Sequence, residues 1–326
     1  MPKYNILVTG VGAIIGYGIV HSLRASKYDV CITGMDIYED AVGQEWCDHF
    51  VQAIPAASDE YPQFLMDTIH KCAIDLVFFG TEQEIARCCA EKDFFGNAYE
   101  KLVINRREIF SITEDKWKTY CFLVRHGLPA IPSSIDPDFE TAVKTFGLPL
   151  LLKPRRSYAS KGIKITSDRD VFYRWANDQG DGFMMQKFIG DKEHEYTASA
   201  FGFGDGTGVA PIILRRRLSP EGSTQKAIVT KNAEIENVIS QLITLLKPIG
   251  PTNFQFRIMD NTPYLLEINP RISSATSIRT AFGYNEAEMC ISYFLKGEKI
   301  LSPQIKNGRA TRYIAERIEY NVGDFV

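Results

Sequence analysis

Residues 264–276 read YLLEINPRISSAT. An apolar run leads into Glu267, Asn269 follows two residues later, and Pro270-Arg271 closes the run. Side chains of a strand alternate between two faces, so Glu267, Asn269 and Arg271 share one parity. Pro270 has no N–H to give a ladder, and strand pairing is expected to end there. A carboxylate, an amide oxygen and a guanidinium therefore gather on one face at a strand's mouth. A solvated strand end before a Ser-rich loop would have the same composition, so the surroundings must decide. Just upstream, TNFQFRIMDNTP supplies a partner strand and a turn, and brings Gln255 to the pair. Three oxygen donors on paired strands suit Mg²⁺, whose octahedron phosphates and waters usually complete.

The bulk numbers narrow the setting. A chain of 326 residues suits two or three domains or subdomains and can bury a large core without disulfides. Its hydrophobic fraction of 45% and charged fraction of 24% are ordinary for a globular protein. The net charge of -3 offers no basic excess for nucleic acid or an anionic membrane. No apolar run approaches the ~18 residues of a membrane span. The start, MPKYNILVTG, enters a strand with no signal-peptide layout. A cytoplasmic protein with no membrane or nucleic-acid partner is expected, its seven cysteines reduced. Adjacent Cys88 and Cys89 cannot easily ligate one tetrahedral ion, and the five histidines show no metal spacing.

Along the chain, NILVT, YDVCITGMD and AIDLVFFG read as strands separated by helical patterns, and KLVINRREIFSI as a strand and connector. That alternation implies a parallel sheet with crossover helices. A helix is expected to start at Thr113 as its cap and to stop at Gly127. LPLLLKP and FMMQKFIG read as strands around a helix in DRDVFYRWANDQ. HEYTASAFGFGDGTGVAPIILRRRL reads as a hairpin with a glycine-rich turn. NAEIENVISQLITLLKPIG spaces Ile235, Val238, Ile239, Leu242, Leu245 and Leu246 as a buried helix face. The expected class is α/β and α+β. A Rossmann-like parallel-sheet domain occupies 1–112, a small unit 113–185, and a unit bearing the metal hairpin 186–326.

The turn VTGVGAIIGYG, with Asp36 ending the next strand, resembles a dinucleotide fingerprint, but its spacing is Gly-x-Gly-x-x-x-Gly. One reading is a nicotinamide-dependent oxidoreductase of the short-chain type. The other is a Rossmann-like domain whose turn serves another ligand or packing alone. No Tyr-x-x-x-Lys acid–base pair occurs in the chain, which disfavours the first.

The later pieces have a common theme. Lys153 ends an apolar strand, from which a cation can reach a phosphate. SYASKG, residues 157–162, is a small polar loop able to fold over phosphates, though an ordinary hairpin turn would look the same. MMQKFIG can offer backbone groups to an adenine edge. Glu193 and Glu195 share a strand face and can accept from ribose hydroxyls, or be merely solvated.

This order, from residue 4 to residue 300, resembles the ATP-grasp family, most closely its carbamoyl-phosphate-synthetase-like branch. DKWKTYCFLVRHGLPAIPS and FQFRIMDNTPYLLEINPRISSAT carry the resemblance. It implies a two-subdomain ATP-grasp fold after the Rossmann-like domain, binding ATP with Mg²⁺, or Mn²⁺ in its place. Lys116, Lys153, Ser157, Ser160, Lys161 and Gly162 would then meet the phosphates. Gln186, Lys187, Phe188 and Ile189 would form the adenine hinge, and Glu193 or, preferably, Glu195 would hold the ribose. Gln255, Glu267 and Asn269 would hold the metal, and Arg271 the transferring phosphoryl group. Arg215 or Arg217, in the run ILRRRL, is expected to grip a carboxylate substrate. The GVGAII turn and GTEQE, residues 80–84, would line the acceptor side. The loop departs from the family in having one Gly and a bulky Tyr158, and the hinge begins with Gln rather than Glu. The implied activity is ligation of a small-molecule carboxylate to an amine through an acyl phosphate, releasing ADP and phosphate. A carbamoyl-phosphate-type half enzyme and a non-catalytic ATP sensor are the alternatives, and assembly as a homodimer is left open.

Overall fold

The computed structural model describes residues 3–157 and 162–313. Strands β1 (Tyr4–Thr9), β2 (Val30–Asp36), β3 (His49–Gln52) and β4 (Leu76–Phe78) pair in parallel in the order β3-β2-β1-β4. Their apolar runs are buried on both faces because crossover helices cover both. Helix Ile14–Arg24 packs Ile19, Val20 and Leu23 against Ile6 and Val8 on one face, and helix Tyr61–Lys71 packs Tyr61, Leu65 and Ile69 against Leu7 and Val77 on the other. The edge strand β3, HFVQ, has no buried residue and so no apolar signature in the sequence. The strand expected near residue 101 shrinks to a single bridge between Val77 and Leu102, and Arg107–Thr113 is a helix. The glycine turn serves close packing: a Cβ on Gly16 would lie 2.1 Å from the Gly10 carbonyl oxygen, so helix and strand can approach only there.

A second sheet is antiparallel. It comprises β5 (Ser133–Ser134), β6 (Leu150–Pro154), β7 (Lys164–Thr166) and β8 (Phe183–Lys187), in the order β5-β8-β6-β7. Helices Phe139–Phe146 and Arg169–Gln179 cover it, each with an Asp side chain accepting from a first-turn N–H. Phe139, Leu150, Leu152, Phe172, Phe183 and Met185 form a core that belongs to this unit alone.

The third sheet contains β9 (Glu195–Phe203), β10 (Gly208–Leu218), β11 (Thr224–Thr230), β12 (Ile249–Met259), β13 (Thr262–Asn269) and β14 (Arg309–Thr311). Its order is β13-β12-β9-β10-β11-β14. Asp260 and Asn261, at φ 50° and 61°, make the tight turn between β12 and β13. Helix Ala233–Leu246 buries Ile235, Val238, Ile239, Leu242, Ile243 and Leu246 against one face. Leu245, expected inside, is 39% exposed; Ile243 lies one turn beyond Ile239 and takes the inner position. The other face packs toward the N-terminal domain, with helix Ile14–Arg24 and the helices after β13 between the two sheets. Phe201, Ile212, Leu214, Ile272 and Tyr284 join Ile6, Val8 and Ile19 in one continuous core. The first and third sheets are thus fused by apolar packing, while the middle sheet is not. Among the described residues no helix is long and apolar enough to cross a membrane.

Candidate active site

The site starts with a bulge. Gln255 lies opposite Glu267 and Asn253 opposite Asn269, but Phe256 lies opposite Leu265, so Leu266 is an extra residue in β13. Strict alternation would put Leu265 on the parity of Glu267. The extra residue instead lets Leu265 and Ile268 both enter the core with Phe254 and Phe256. Glu267 and Asn269 turn to the opposite face, beside Gln255.

Two lysines face that hairpin. Asp115, not Thr113, caps helix Lys116–Arg125, accepting from the amides of Trp117 (2.9 Å) and Lys118 (3.4 Å); Thr113 ends the preceding helix. The Asp115 carboxylate also receives two bonds from the Arg155 guanidinium, at 2.7 and 3.2 Å, and the Lys116 amide donates to the Arg155 carbonyl. This clasp ties the helix start to the end of β6 and sets Lys116 beside Lys153. The Lys116 ammonium donates to the carbonyl (2.7 Å) and hydroxyl (3.1 Å) of Ser157. Burial and then the neighbouring Lys116 charge pull the Lys153 pKa down to about 7, against the opposing pull of Glu267. Burial also lowers the pKa of Lys116, while Glu267, Glu82 and Asp115 hold it up. Lys116, Lys153, Gln186 and Glu267 line a cavity of about 20 Å³, room for about one water.

Arg215 and Arg217, where the sequence placed the carboxylate grip, are exposed; Arg217 pairs with Glu193, and among the described residues none of the three bonds to Gln255, Glu267 or Asn269. Arg216 does. It is buried and donates through Nη2 to Glu195 Oε1 (3.0 Å) and Gln255 Oε1 (2.8 Å). Glu195 Oε2 accepts from Arg257 Nη2 at 2.7 Å, and Arg257 Nη1 donates to the Ile189 carbonyl. The available signal was parity: Ile212 and Leu214, on the parity of Arg216, are the positions that pack toward the N-terminal sheet.

Arg271 reaches out of the hairpin to the first domain. Its Nε donates to Glu82 at 3.1 Å, its Nη2 bonds the same carboxylate oxygen, and Nη2 lies 3.4 Å from Asn269 Oδ1. In the hinge, buried Gln186 donates to Ser133 Oγ (2.8 Å), the Lys187 amide donates to the Pro132 carbonyl, Phe188 is exposed and Ile189 is buried. Ser157 and Gly162 (φ 78°) flank the polar loop, while Tyr158, Ser160 and Lys161 lie outside the described residues. Glu267 has no hydrogen-bond or ion-pair partner among the described residues, and the oxygens of Gln255 and Asn269 face guanidinium donors as acceptors should. One free carboxylate and two amide oxygens are hard donors, and the set fits Mg²⁺.

A family model described as "ATP-grasp in the biosynthetic pathway with Ter operon" matches residues 192–316. The fold superposes on the N5-carboxyaminoimidazole synthetase of Staphylococcus aureus with a TM-score of 0.73, at 16% identity, over 93% of this chain and 81% of that one. The chain thus has the fold of that solved enzyme, and its C-terminal part, residues 192–316, is similar to an ATP-grasp family model. The biotin carboxylase of Campylobacter jejuni shares the fold with a TM-score of 0.74, at 15% identity, over 94% of this chain and 74% of the other. In sequence, the chain is 22% identical to the carbamoyl phosphate synthase large chain of Pseudothermotoga lettingae over 189 residues, 53% of this chain and 17% of that one. It is 32% identical to the D-alanine–D-alanine ligase of Chromohalobacter salexigens over 95 residues, 27% of this chain and 29% of the ligase. The chain thus spans less than a third of either curated relative. A cleft runs between the middle sheet, which carries Lys153, and the six-stranded sheet, which carries Glu267.

Proposed function

We propose that the chain is an ATP- and Mg²⁺-dependent ligase that joins a carboxylate to an amine through an acyl phosphate. The observation that carries this is the pair of lysines, half-buried Lys116 and buried Lys153, set against Gln255, Glu267 and Asn269 across one cleft. A buried lysine with its pKa near 7 is a site waiting for negative charge. Phosphates supply that charge, and their arrival favours the protonated lysine.

Gln255, Glu267 and Asn269 would hold Mg²⁺, which when bound neutralises phosphate charge and polarises the phosphoryl group. Lys116 and Lys153 orient the phosphate chain from rigid elements. The segment Gln186–Ile189 presents backbone groups to the adenine, and Glu195 offers its remaining lone pairs to ribose. Arg216 holds Gln255 and Glu195 in place from behind. Arg271 stabilises charge on the transferring group.

Chemically, a carboxylate oxygen attacks the γ-phosphorus and the bond to the β,γ-bridging oxygen breaks, leaving ADP. An amine then attacks the acyl carbon, phosphate departs, and the nitrogen loses a proton. Positioning and charge neutralisation suffice, with no covalent enzyme nucleophile. The test is isotopic. With ¹⁸O in the carboxylate, one label should appear in the released phosphate. Label in AMP, accompanied by pyrophosphate, would refute the route even if every nucleotide contact proved right. With the amine withheld, hydroxylamine should trap the acyl phosphate as a hydroxamate.

A further inference from the structure

The N-terminal sheet carries a second, larger space. A cavity of about 780 Å³ lies at the carboxyl ends of β1, β2 and β4, lined by Gly12, Asp36, Tyr38, Ala57, Thr81 and Arg87 among others. That volume suits a small molecule, and the switch in strand order beside β1 is where open α/β sheets bind ligands. Its rim gathers exposed apolar side chains, with Ile37 at 44% and Tyr38 at 66% exposure. Such surface usually awaits an apolar partner.

The charges in it are lopsided. Asp36 is 7% exposed, yet among the described residues no cation pairs with it; its oxygens accept only from the backbone amides of Gly12 (2.8 Å) and Tyr38 (3.1 Å). A buried carboxylate usually has a cationic partner. Asp36 also occupies the glycine-turn amide that a phosphate would need. Glu84 is fully used, accepting from the hydroxyls of Thr9, Thr81 and Tyr61. Arg87, the cavity's cation, is shared between Glu91 (3.3 Å) and Asp59 (3.8 Å). Asp40 adds a further carboxylate to the lining. Arg87 Nε has no partner but is enclosed, out of a ligand's reach; among the described residues a phosphate would meet an arginine already facing two carboxylates, whereas an organic cation would meet an anion with no cationic partner. Glu82, bonded to Arg271, sits in sequence between Thr81 and Gln83, which both line the cavity. The cavity therefore adjoins the end of the cleft where an acyl phosphate would form.

We propose that this cavity binds the acceptor substrate, and that the acceptor is a phosphate-free diamine with an apolar body. One nitrogen, as a cation, docks at Asp36. The other, uncharged when it reacts, reaches past Glu82 to the acyl group at Arg271. The proposal rests on the ligase reading above for the role of the bound amine.

Calorimetry on the full chain without ATP tests it, with 1,5-diaminopentane and 1,4-bis(aminomethyl)benzene as probes and ribose 5-phosphate as the phosphate-bearing comparison. At least one diamine should bind about tenfold or more tighter than ribose 5-phosphate. Ala57→Trp, which fills the cavity from an exposed position, should abolish that binding, and Asp36→Asn should weaken it about tenfold. ATP affinity serves as the fold control for both variants. No diamine binding at millimolar concentration, tighter binding of ribose 5-phosphate, or undiminished binding in Ala57→Trp overturns the proposal. The wild-type comparison decides even where a variant fails to fold. Acid-dependent hydroxamate formation with hydroxylamine does not need the cavity. Its absence fails the ligase reading; its presence without diamine binding fails the cavity proposal alone.

Discussion

The cavity on the N-terminal sheet and the space between the two lysines differ almost fortyfold in volume, about 780 against about 20 Å³. The large one has mostly apolar walls, and among the described residues its buried Asp36 has no counter-ion. The small one is lined by Lys116, Lys153 and Glu267, and the groups around it are bound to protein partners: Lys116 donates to Ser157, Arg216 holds Gln255 and Glu195, and Arg271 holds Glu82. An apolar cavity costs little to keep open when its lining is rigid. A cleft of opposite charges closes on itself, because unpaired buried charge is expensive. The first space is ready for its ligand, whereas the second must exchange internal partners for external ones.

The harshest way to break the charged half of that contrast is Glu267→Ala. It removes a carboxylate of the hairpin that has no protein partner among the described residues, and turnover should fall by about 100-fold or more with the melting temperature little changed. ADP release at the wild-type rate would remove Glu267 from any metal site.

Lys153→Met should separate binding from stability. Losing a charge-assisted contact to phosphate should weaken ATP about 10- to 100-fold. The folded pKa near 7 lies below the unfolded value of 10.5, so the unfolded chain binds more protons between these limits. This group therefore costs stability below about pH 7, and the cost fades as pH rises toward 10.5. The variant should accordingly melt higher than wild type at neutral pH. In the wild type, ATP binding should take up close to one proton at about pH 8 and almost none at about pH 6, read by calorimetry in buffers of different ionisation enthalpy. Equal uptake at both would show that Lys153 does not meet the phosphates.

Glu82→Gln sharpens the idea of exchanged partners. It frees Arg271 from a half-exposed carboxylate, a pair worth about 1 kcal/mol at most, so KM for the carboxylate substrate should fall by up to about fivefold. A drop in kcat instead would give Glu82 a part in the reaction. The mildest change is Arg217→Ala, which breaks only the exposed pair with Glu193. Stability should move by less than about 0.5 kcal/mol and turnover not at all; a large loss of turnover would return Arg217 to the site.

The strand–helix alternation of residues 5–90 was readable as a parallel sheet because fully buried strands leave unbroken apolar runs. The polar edge strand β3 left none. The hairpin was readable because Pro270 and the Asp260-Asn261 turn punctuate it locally. The choice among Arg215, Arg216 and Arg217 was not. Alternation says that Arg216 differs from its neighbours, but which face meets the site depends on where the N-terminal sheet packs, a contact hundreds of residues apart in sequence. The same holds for Glu82 opposite Arg271, separated from it by 189 positions. Thr113 and Asp115 were both fit to cap a helix, and the pairing of Asp115 with Arg155 selects the second.

The private core of the middle sheet has a consequence for how the molecule opens. Residues that share no apolar cluster with their surroundings can unfold without dragging the rest along. The amides of β6 and β8 should therefore exchange with deuterium through a sub-global opening, at a lower free energy than those of β1 and β9, which are locked into one fused cooperative unit. Saturating nucleotide, by bridging Lys153 to the hairpin, should slow exchange in β6 and β8 far more than in β1, merging two foldons into one.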